Sequence, residues 1–203
     1  LEPPWQFTTV RVATIPKPDG SLRPLSIASC VWRALGTATL QQLRRWILDW
    51  APRELLGGIP GRDSRELQVR LGVATARAKR TGEHLLGIKL DLRKCFDSVS
   101  IEMAIGLAEK LGMPEGVTTA LRHVYKDLRR VFTNEGMVDD RWIKASTGLL
   151  QGCPFSPILL GIVMAAYVQH LQGSLQELLR AKDATGRVNL FVDDRIAWVV
   201  AKD

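Results

Sequence analysis

Leu190-Phe191-Val192-Asp193-Asp194-Arg195-Ile196-Ala197-Trp198 sets two adjacent carboxylates inside an otherwise apolar stretch. Val188 to Val192 and Ile196 to Val200 are rich in β-branched and aromatic residues, so the pattern predicts two strands joined as a tight hairpin with the acidic pair at its tip. Like charges placed beside a core repel one another and need a cation. Taken alone, Asp-Asp is also an ordinary solvated turn. A distant acid changes that balance: Asp91 closes the apolar run His84 to Leu90, which reads as a buried strand. Only a folded sheet could bring Asp91 beside Asp193 and Asp194. Three carboxylates gathered at strand ends would suit hard divalent cations, which take oxygen ligands.

Outward from this hairpin, the rest of the chain alternates strand and helix signals. Val10 to Ile15 and Leu22 to Ile27 flank Pro16-Lys17-Pro18-Asp19-Gly20, which predicts a β-hairpin. From Ser29, a plausible N-cap, helical spacing places Leu35, Leu40, Leu43, Ile47 and Trp50 on one apolar stripe that Pro52 ends. Gly57 to Gly61 is a loop, and Asp63 or Ser64 caps a helix to about Arg80 with Leu67, Leu71 and Ala74 inward. Ser100 caps a helix to Leu111, Gly112 stops it, and Pro114 opens the next, to about Lys126. Arg129 to Thr133 and Met137 to Ala145 form a hairpin pattern around Asn134-Glu135-Gly136. A turn-rich segment, Gly148 to Pro157, precedes a long apolar helix to roughly Leu179. Helices between antiparallel strands imply an α+β fold, with a sheet carrying the acids and helices behind it.

The chain has 203 residues, 46% hydrophobic and 24% charged, which suits one globular domain or two packed subdomains. Lys and Arg exceed Asp and Glu by 28 to 21, a net charge of +7 that favours a polyanionic partner. Arginines at 62, 65, 70, 77 and 80, and the group Lys126, Arg129 and Arg130, could track a phosphate backbone or simply decorate solvated faces. Trp32, Trp46 and Trp50 fall near helical spacing and read as core. Cys30, Cys95 and Cys153 are not at zinc-ligand spacing with His84, His123 or His170, and free thiols fit a reducing, intracellular location. The apolar run Ile158 to Val168 is too short to span a bilayer, so no membrane association is expected. The chain begins without Met and stops just after an apolar strand, as a segment of a longer polypeptide would.

Two further segments carry chemistry. In Leu90-Asp91-Leu92-Arg93-Lys94-Cys95-Phe96-Asp97, amide donors between Leu92 and Phe96 could curl under phosphates, with Phe96 beside a sugar. Phe96 is equally readable as a core residue, and Asp97 as a structural acid. Gly148-Leu149-Leu150-Gln151-Gly152-Cys153-Pro154-Phe155-Ser156-Pro157 fixes an irregular loop before a helix, where Gly152 would allow backbone to approach a base pair and Gln151 could bond a nucleotide.

Together these segments resemble reverse transcriptases. Ile88 to Val99 is similar to their first catalytic motif, Gly148 to Leu160 to their Gln-Gly-x-Pro-x-Ser-Pro motif, and Phe191 to Asp194 to their aromatic-x-Asp-Asp motif, in the same order. Ile15 to Ile27 and Gly57 to Ser64 resemble the fingers hairpin and a fingers loop of the non-LTR retrotransposon and group II intron branch. The resemblance implies a right-hand polymerase fragment with mainly fingers at 1–85 and mainly palm at 86–203. Fingers-type segments could also lie within about 100–147, and the thumb outside this chain. It implies RNA-directed DNA synthesis from deoxynucleoside triphosphates on a DNA primer and RNA template. Asp91, Asp193 and Asp194, with the backbone of Leu92, would hold two Mg2+ ions, for which Mn2+ could substitute. Lys17, Arg23, Leu92, Phe96, Gln151 and Gly152 would bind the nucleotide, and Phe96 would exclude a 2′-hydroxyl. A nuclear location would follow for a eukaryotic retrotransposon.

Phe191 stands where Tyr is usual in that family, and Arg195 follows the acids directly. Strand alternation would send Arg195 away from the acid face, whereas an ion pair with either acid would compete with metal. The alternative functions are a polymerase-like RNA-binding scaffold without catalysis and an RNA-dependent RNA polymerase.

Overall fold

The computed structural model describes residues 4–134, 137–144, 147–180, 182, 184–192 and 194–202, with backbone alone at 134 and 137–140. In chain order the elements are α1 (Trp5–Thr8), β1 (Thr9–Pro16), β2 (Leu22–Ile27), α2 (Cys30–Gln42), α3 (Arg44–Trp50), α4 (Ser64–Thr81) and β3 (His84–Asp91). There follow α5 (Cys95–Ser98), α6 (Ile101–Lys110), α7 (Glu115–Lys126), β4 (Arg129–Asn134), β5 (Met137–Lys144), α8 (Ser156–Leu179), β6 (Ala184–Phe191) and β7 (Asp194–Ala201). Two compact units result, one from Leu1–Trp46 with Phe96–Leu160, the other from Ile47–Cys95 with Gly161–Asp203. The fold is mixed α and β with largely antiparallel sheets.

In the first unit a sheet of order β2-β1-β4-β5 joins two hairpins. The β1–β2 turn is closed by Lys17 N–H donating to Ser21 O at 2.8 Å, and Asp19 accepts from the Ser21 amide and hydroxyl at 2.9 and 2.6 Å. Gly20 supplies the positive φ of 79° that this turn requires. β1 and β4 pair in parallel, Thr9 opposite Arg129 through Ala13 opposite Thr133. α6 and α7 begin where expected: Ser100 Oγ accepts from Met103 N–H at 3.3 Å, and Gly112, at φ 84°, ends the first helix. Their facing residues Ile101, Ala104, Ile105, Ala108, Leu121 and Val124 are buried.

The helix expected from Ser29 to Pro52 is broken at Leu43, where α2 gives way to α3. The stripe also differs: Leu35 is 53% exposed, and the buried face of α2 is Trp32 and Gly36. A Cβ on Gly36 would sit 3.1 Å from the Phe155 ring and 3.2 Å from Pro154, so the helix docks through a small residue, invisible to a search for bulky apolar spacing. Trp32 is core, as expected, its ring tilted against those of Phe155 and Phe7 at centroid distances of 5.9 and 6.3 Å.

The second unit holds the three-stranded antiparallel sheet β3-β7-β6. α4 covers one face, packing Leu67 and Ala78 with Leu71 and Ala74 against Trp198, Val200 and Ile196. Its start is set by Asp63, whose carboxylate accepts from Arg65 N–H at 2.8 Å and Glu66 N–H at 3.3 Å. The later turns of α8 lie on the opposite face of β6: Gln172 bonds the backbone of Gly186 and Val188 at 3.2 and 2.8 Å. A Cβ on Gly186 would reach Leu175 and Leu179 at 2.7 Å, so glycine is required there by space.

Two expectations need correction. β3 is a strand but not a buried one: Leu86, Ile88 and Leu90 are 77%, 54% and 43% exposed. Among the described residues it is an edge strand paired with β7 alone, and an apolar run cannot distinguish edge from centre. α8 spans 24 residues with a mean hydropathy of 1.4 over its most apolar window, long and apolar enough to cross a membrane by length and composition. The apolar run ends at Val168, but the helix continues through Gln169, His170 and Gln172 to Leu179. Burial of Ile158, Leu159, Leu160, Ile162 and Val168 accounts for its apolar character as that of a core helix.

Candidate active site

The acids meet through strand register. Asp91 is the Cα partner of Asp194 across β3–β7, and Asp194 is also opposite Phe191 across β7–β6. Paired residues point to the same face, so Asp91 and Asp194 share the face that bears Lys89 and Ile196. Lys89 Nζ lies 2.9 Å from Asp194 Oδ1. The carboxylates of Asp91 and Asp194 offer the oxygen donors that a hard divalent ion takes, and Lys89 pairs with the second of them. Asp193 lies outside the described residues, and no cluster of three or more His, Cys, Asp or Glu occurs among the described residues.

Arg195 takes the opposite face, as alternation requires. Its guanidinium donates to Tyr167 Oη at 2.9 Å and stacks over that ring at 5.4 Å. The cation against Asp194 is therefore Lys89, two residues before Asp91, a position from which the strand period alone would have placed it on the acid face.

Between Phe191 and the acids, Val192 adopts φ 57°, the left-handed region that a β-branched residue rarely enters. The hairpin turn is thus strained and must be held by its surroundings. A second non-glycine residue, Lys94, has φ 53°, and it turns the chain between Leu92 and the half-buried Phe96.

The Gln-Gly loop, in the first unit, is anchored more heavily than its sequence suggests. Leu149 N–H donates to Phe96 O at 2.8 Å and Gly148 N–H to Val99 O at 3.0 Å. Gly148, at φ 94°, comes so near Asp97 that a Cβ would lie 3.0 Å from its Cα, so this close backbone approach requires glycine. Gly152, at φ 92°, faces protein: a Cβ there would be 2.5 Å from Ser26 O, which gives the glycine a packing reason in β2. Beneath the loop, Leu150 N–H donates to Tyr125 Oη at 3.1 Å, and Ser156 Oγ donates to Leu150 O at 2.7 Å. The Tyr125 hydroxyl then donates to Ser156 Oγ at 3.2 Å. Burial pushes the Tyr125 phenol up from its ordinary pKa, so it stays a donor. The Cys153 thiol, which accepts from the Trp32 indole at 3.3 Å, is likewise pushed up by burial.

Tyr125 did not stand out in the sequence, being remote from the motif that it anchors, whereas Ser156 is the motif's own serine and its bond to Leu150 closes the loop from within. Tyr125→Phe leaves a buried Leu150 amide without its acceptor and is expected to destabilise the protein by about 1–3 kcal/mol. Urea melts of the two proteins check this, and equal midpoints would refute the anchoring role.

Lys17, half-buried, and Arg23, exposed, lie at the β1–β2 hairpin, with Arg23 opposite Ile15. They share the first unit with Phe96, Gln151 and Gly152, while Asp91, Leu92 and Asp194 belong to the second. The basic helix face is partly turned inward. Arg62 donates to the carbonyls of Pro52, Leu55 (2.7 Å) and Ala51 (3.1 Å), and burial lowers its pKa. Arg70 holds Asn189 Oδ1 at 2.7 Å and Arg53 O at 3.0 Å, and pairs with Glu66. Arg65 and Arg77 pair with Asp63 and Glu83 at 2.8 and 3.7 Å, and Arg129 lies 4.8 Å over Trp142.

Against known proteins, residues 15–202 match the family described as reverse transcriptase (RNA-dependent DNA polymerase). The chain is 29% identical over 162 residues to the COX1/OXI3 intron 1 protein of Saccharomyces cerevisiae, covering 79% of this chain and 18% of that protein. It is 27% identical over 202 residues to the Pol polyprotein of the type-1 retrotransposable element R2 of Nasonia vitripennis, covering 95% and 19% respectively. It therefore spans less than a fifth of each of these two curated relatives. Among solved structures, telomerase from Candida albicans in complex with a TWJ fragment of telomeric RNA superposes with a TM-score of 0.62. That match is at 14% identity and covers all of this chain and 40% of the telomerase chain. At that identity the likeness is one of fold.

Proposed function

The chain belongs to the reverse transcriptase family, and from that premise we propose that it performs RNA-directed DNA synthesis as part of a non-LTR retrotransposon or group II intron-like polypeptide. The observation that carries this reading is the register of Asp91 with Asp194 on one sheet face beside a cation. Divalent ions, two Mg2+ in this reading with Mn2+ as a substitute, would neutralise charge on the transferring phosphate and its leaving pyrophosphate. Asp91, Asp193 and Asp194, with the Leu92 carbonyl, would be their ligands.

The remaining residues bind and orient. Arg23 offers a planar fork to phosphate oxygens and Lys17 a mobile point charge, both on the β1–β2 hairpin. Phe96 would lie against the sugar, where a 2′-hydroxyl would collide with its ring, and Gln151 and Gly152 would border the nucleotide. Phe191 would pack beneath the primer. In right-hand terms we assign mainly fingers to 1–85 with part of 100–147, and palm to the rest, with template RNA, primer DNA and deoxynucleoside triphosphates as partners. The setting would be intracellular, and nuclear for a eukaryotic element.

Phe96→Ala tests DNA against RNA synthesis. In the longest polypeptide containing this segment, ribonucleotide use relative to deoxynucleotide use is expected to rise at least about tenfold, the scale of a single steric contact. Single-nucleotide incorporation measures it, and an unchanged ratio would refute the gate.

A second reading is favoured by one observation, the Lys89 ammonium seated on Asp194. If that pair replaces metal permanently, the domain is an RNA-binding scaffold. Thermal stabilisation by Mg2+ that vanishes in Asp91→Asn distinguishes the catalytic reading; its absence in the parent protein supports the scaffold.

A further inference from the structure

We propose that Gly57 is a positioning residue for the acidic hairpin: its lack of a side chain seats the Phe191-Val192 turn and, through it, sets Asp194 against Asp91. This rests on the reading of those carboxylates as a metal site.

The loop before Gly57 runs along the free edge of β6. Leu190 N–H donates to Glu54 O at 2.8 Å, Leu56 N–H donates to Leu190 O at 2.7 Å, and Leu55 bridges Leu190 in parallel. The chain therefore reaches residue 57 already bonded to the strand that ends at Phe191. A Cβ built on Gly57 would overlap the Val192 amide nitrogen and lie 2.6 Å from Val192 Cγ2 and 2.9 Å from Phe191 C. Gly57 is not among the glycines with positive φ, so the backbone conformation does not demand glycine; the space does.

Which side would yield to a methyl group follows from how each is held. The loop is fixed by the three carbonyls on Arg62 and by Leu55, Leu56 and Ile59, which are 1%, 0% and 3% exposed. The turn is half-buried and already strained at Val192. Displacement therefore falls on the turn, two residues from Asp194, and shifts that carboxylate relative to its partner on β3. Metal sites respond sharply to such outer-shell changes, typically by about 10–100-fold in affinity or rate.

Gly57→Ala is tested by Mn2+ binding, followed by electron paramagnetic resonance on the protein without nucleic acid, beside its melting temperature and the kcat and KM of primer extension. The expected result is a Mn2+ affinity weakened about tenfold or more and a lowered kcat with little change in nucleotide KM. A purely structural role would lower the melting temperature and leave Mn2+ affinity of the folded protein intact, and that outcome overturns the proposal. Should Gly57→Ala not fold, Arg62→Lys loosens the same loop without touching the turn or the acids. It must then weaken Mn2+ binding several-fold, and unchanged binding is again the overturning result. If the parent protein binds no more Mn2+ than Asp91→Asn, the metal-site reading itself has failed; if the parent binds and Gly57→Ala matches it, only the positioning role has.

Discussion

Asp91→Asn is expected to cut primer extension by about three orders of magnitude, since in the proposed two-metal site it removes one charged ligand and on the order of 4 kcal/mol of transition-state stabilisation. The substitution keeps the shape of the side chain at an exposed strand end, so the fold has no reason to change. Without divalent ions the variant is expected to be as stable as the parent or slightly more so, because two facing carboxylates on paired strands repel. Lys89 would still pair with Asp194, leaving that acid with its internal counter-ion. Extension rates and melts with and without Mg2+ measure both effects. Near-parental extension would remove Asp91 from the chemistry.

Trp198→Ala is expected to destabilise the second unit by about 3–5 kcal/mol, the range for deleting a large aromatic from a core. Trp198 is 4% exposed and stands between β7 and α4, with Leu67, Ala78 and Val200 around it. Its loss leaves a cavity that α4 cannot fill without giving up Arg70 on Asn189 and the Asp63 cap. Since α4 covers the face that carries the acids, weaker divalent-ion binding should accompany the stability loss. A denaturant melt that shifts by less than about 1 kcal/mol would contradict the packing described, being far below the cost of such a deletion.

What the sequence made legible was local. The hairpins at 10–27 and 188–200, the caps at Asp63 and Ser100 and the stop at Gly112 each rest on neighbours within a few residues, and each is where expected. That Asp91 and the hairpin acids should converge was an expectation from the motifs; the register sets Asp91 opposite Asp194, a pairing that no local pattern specifies, and Asp193 lies outside the described residues. Contacts distant in sequence were not legible. The parallel β1–β4 pairing has no turn to announce it, and Tyr125 under the Gln-Gly loop carries no local signal.

Two glycines have a packing reason that local sequence does not show. Gly152 leaves room for Ser26 O, beside whatever place it has near a nucleotide, and Gly57 leaves room for the hairpin turn. In both cases the absent side chain makes room for backbone from far along the chain, which composition cannot show. Lys89 was legible in principle, two residues from Asp91 and hence on its face, but an apolar strand pattern drew attention away from its one charge.

In the proposed reading the paired acids make this domain an RNA-directed DNA polymerase. Its most direct test is extension of a DNA primer on an RNA template with deoxynucleoside triphosphates and Mg2+, by the longest polypeptide containing the segment, beside the same polypeptide carrying Asp194→Ala. The expected result is template-dependent extension by the parent that the variant lacks. Equal extension by both, or none by either under Mg2+ or Mn2+, would contradict it.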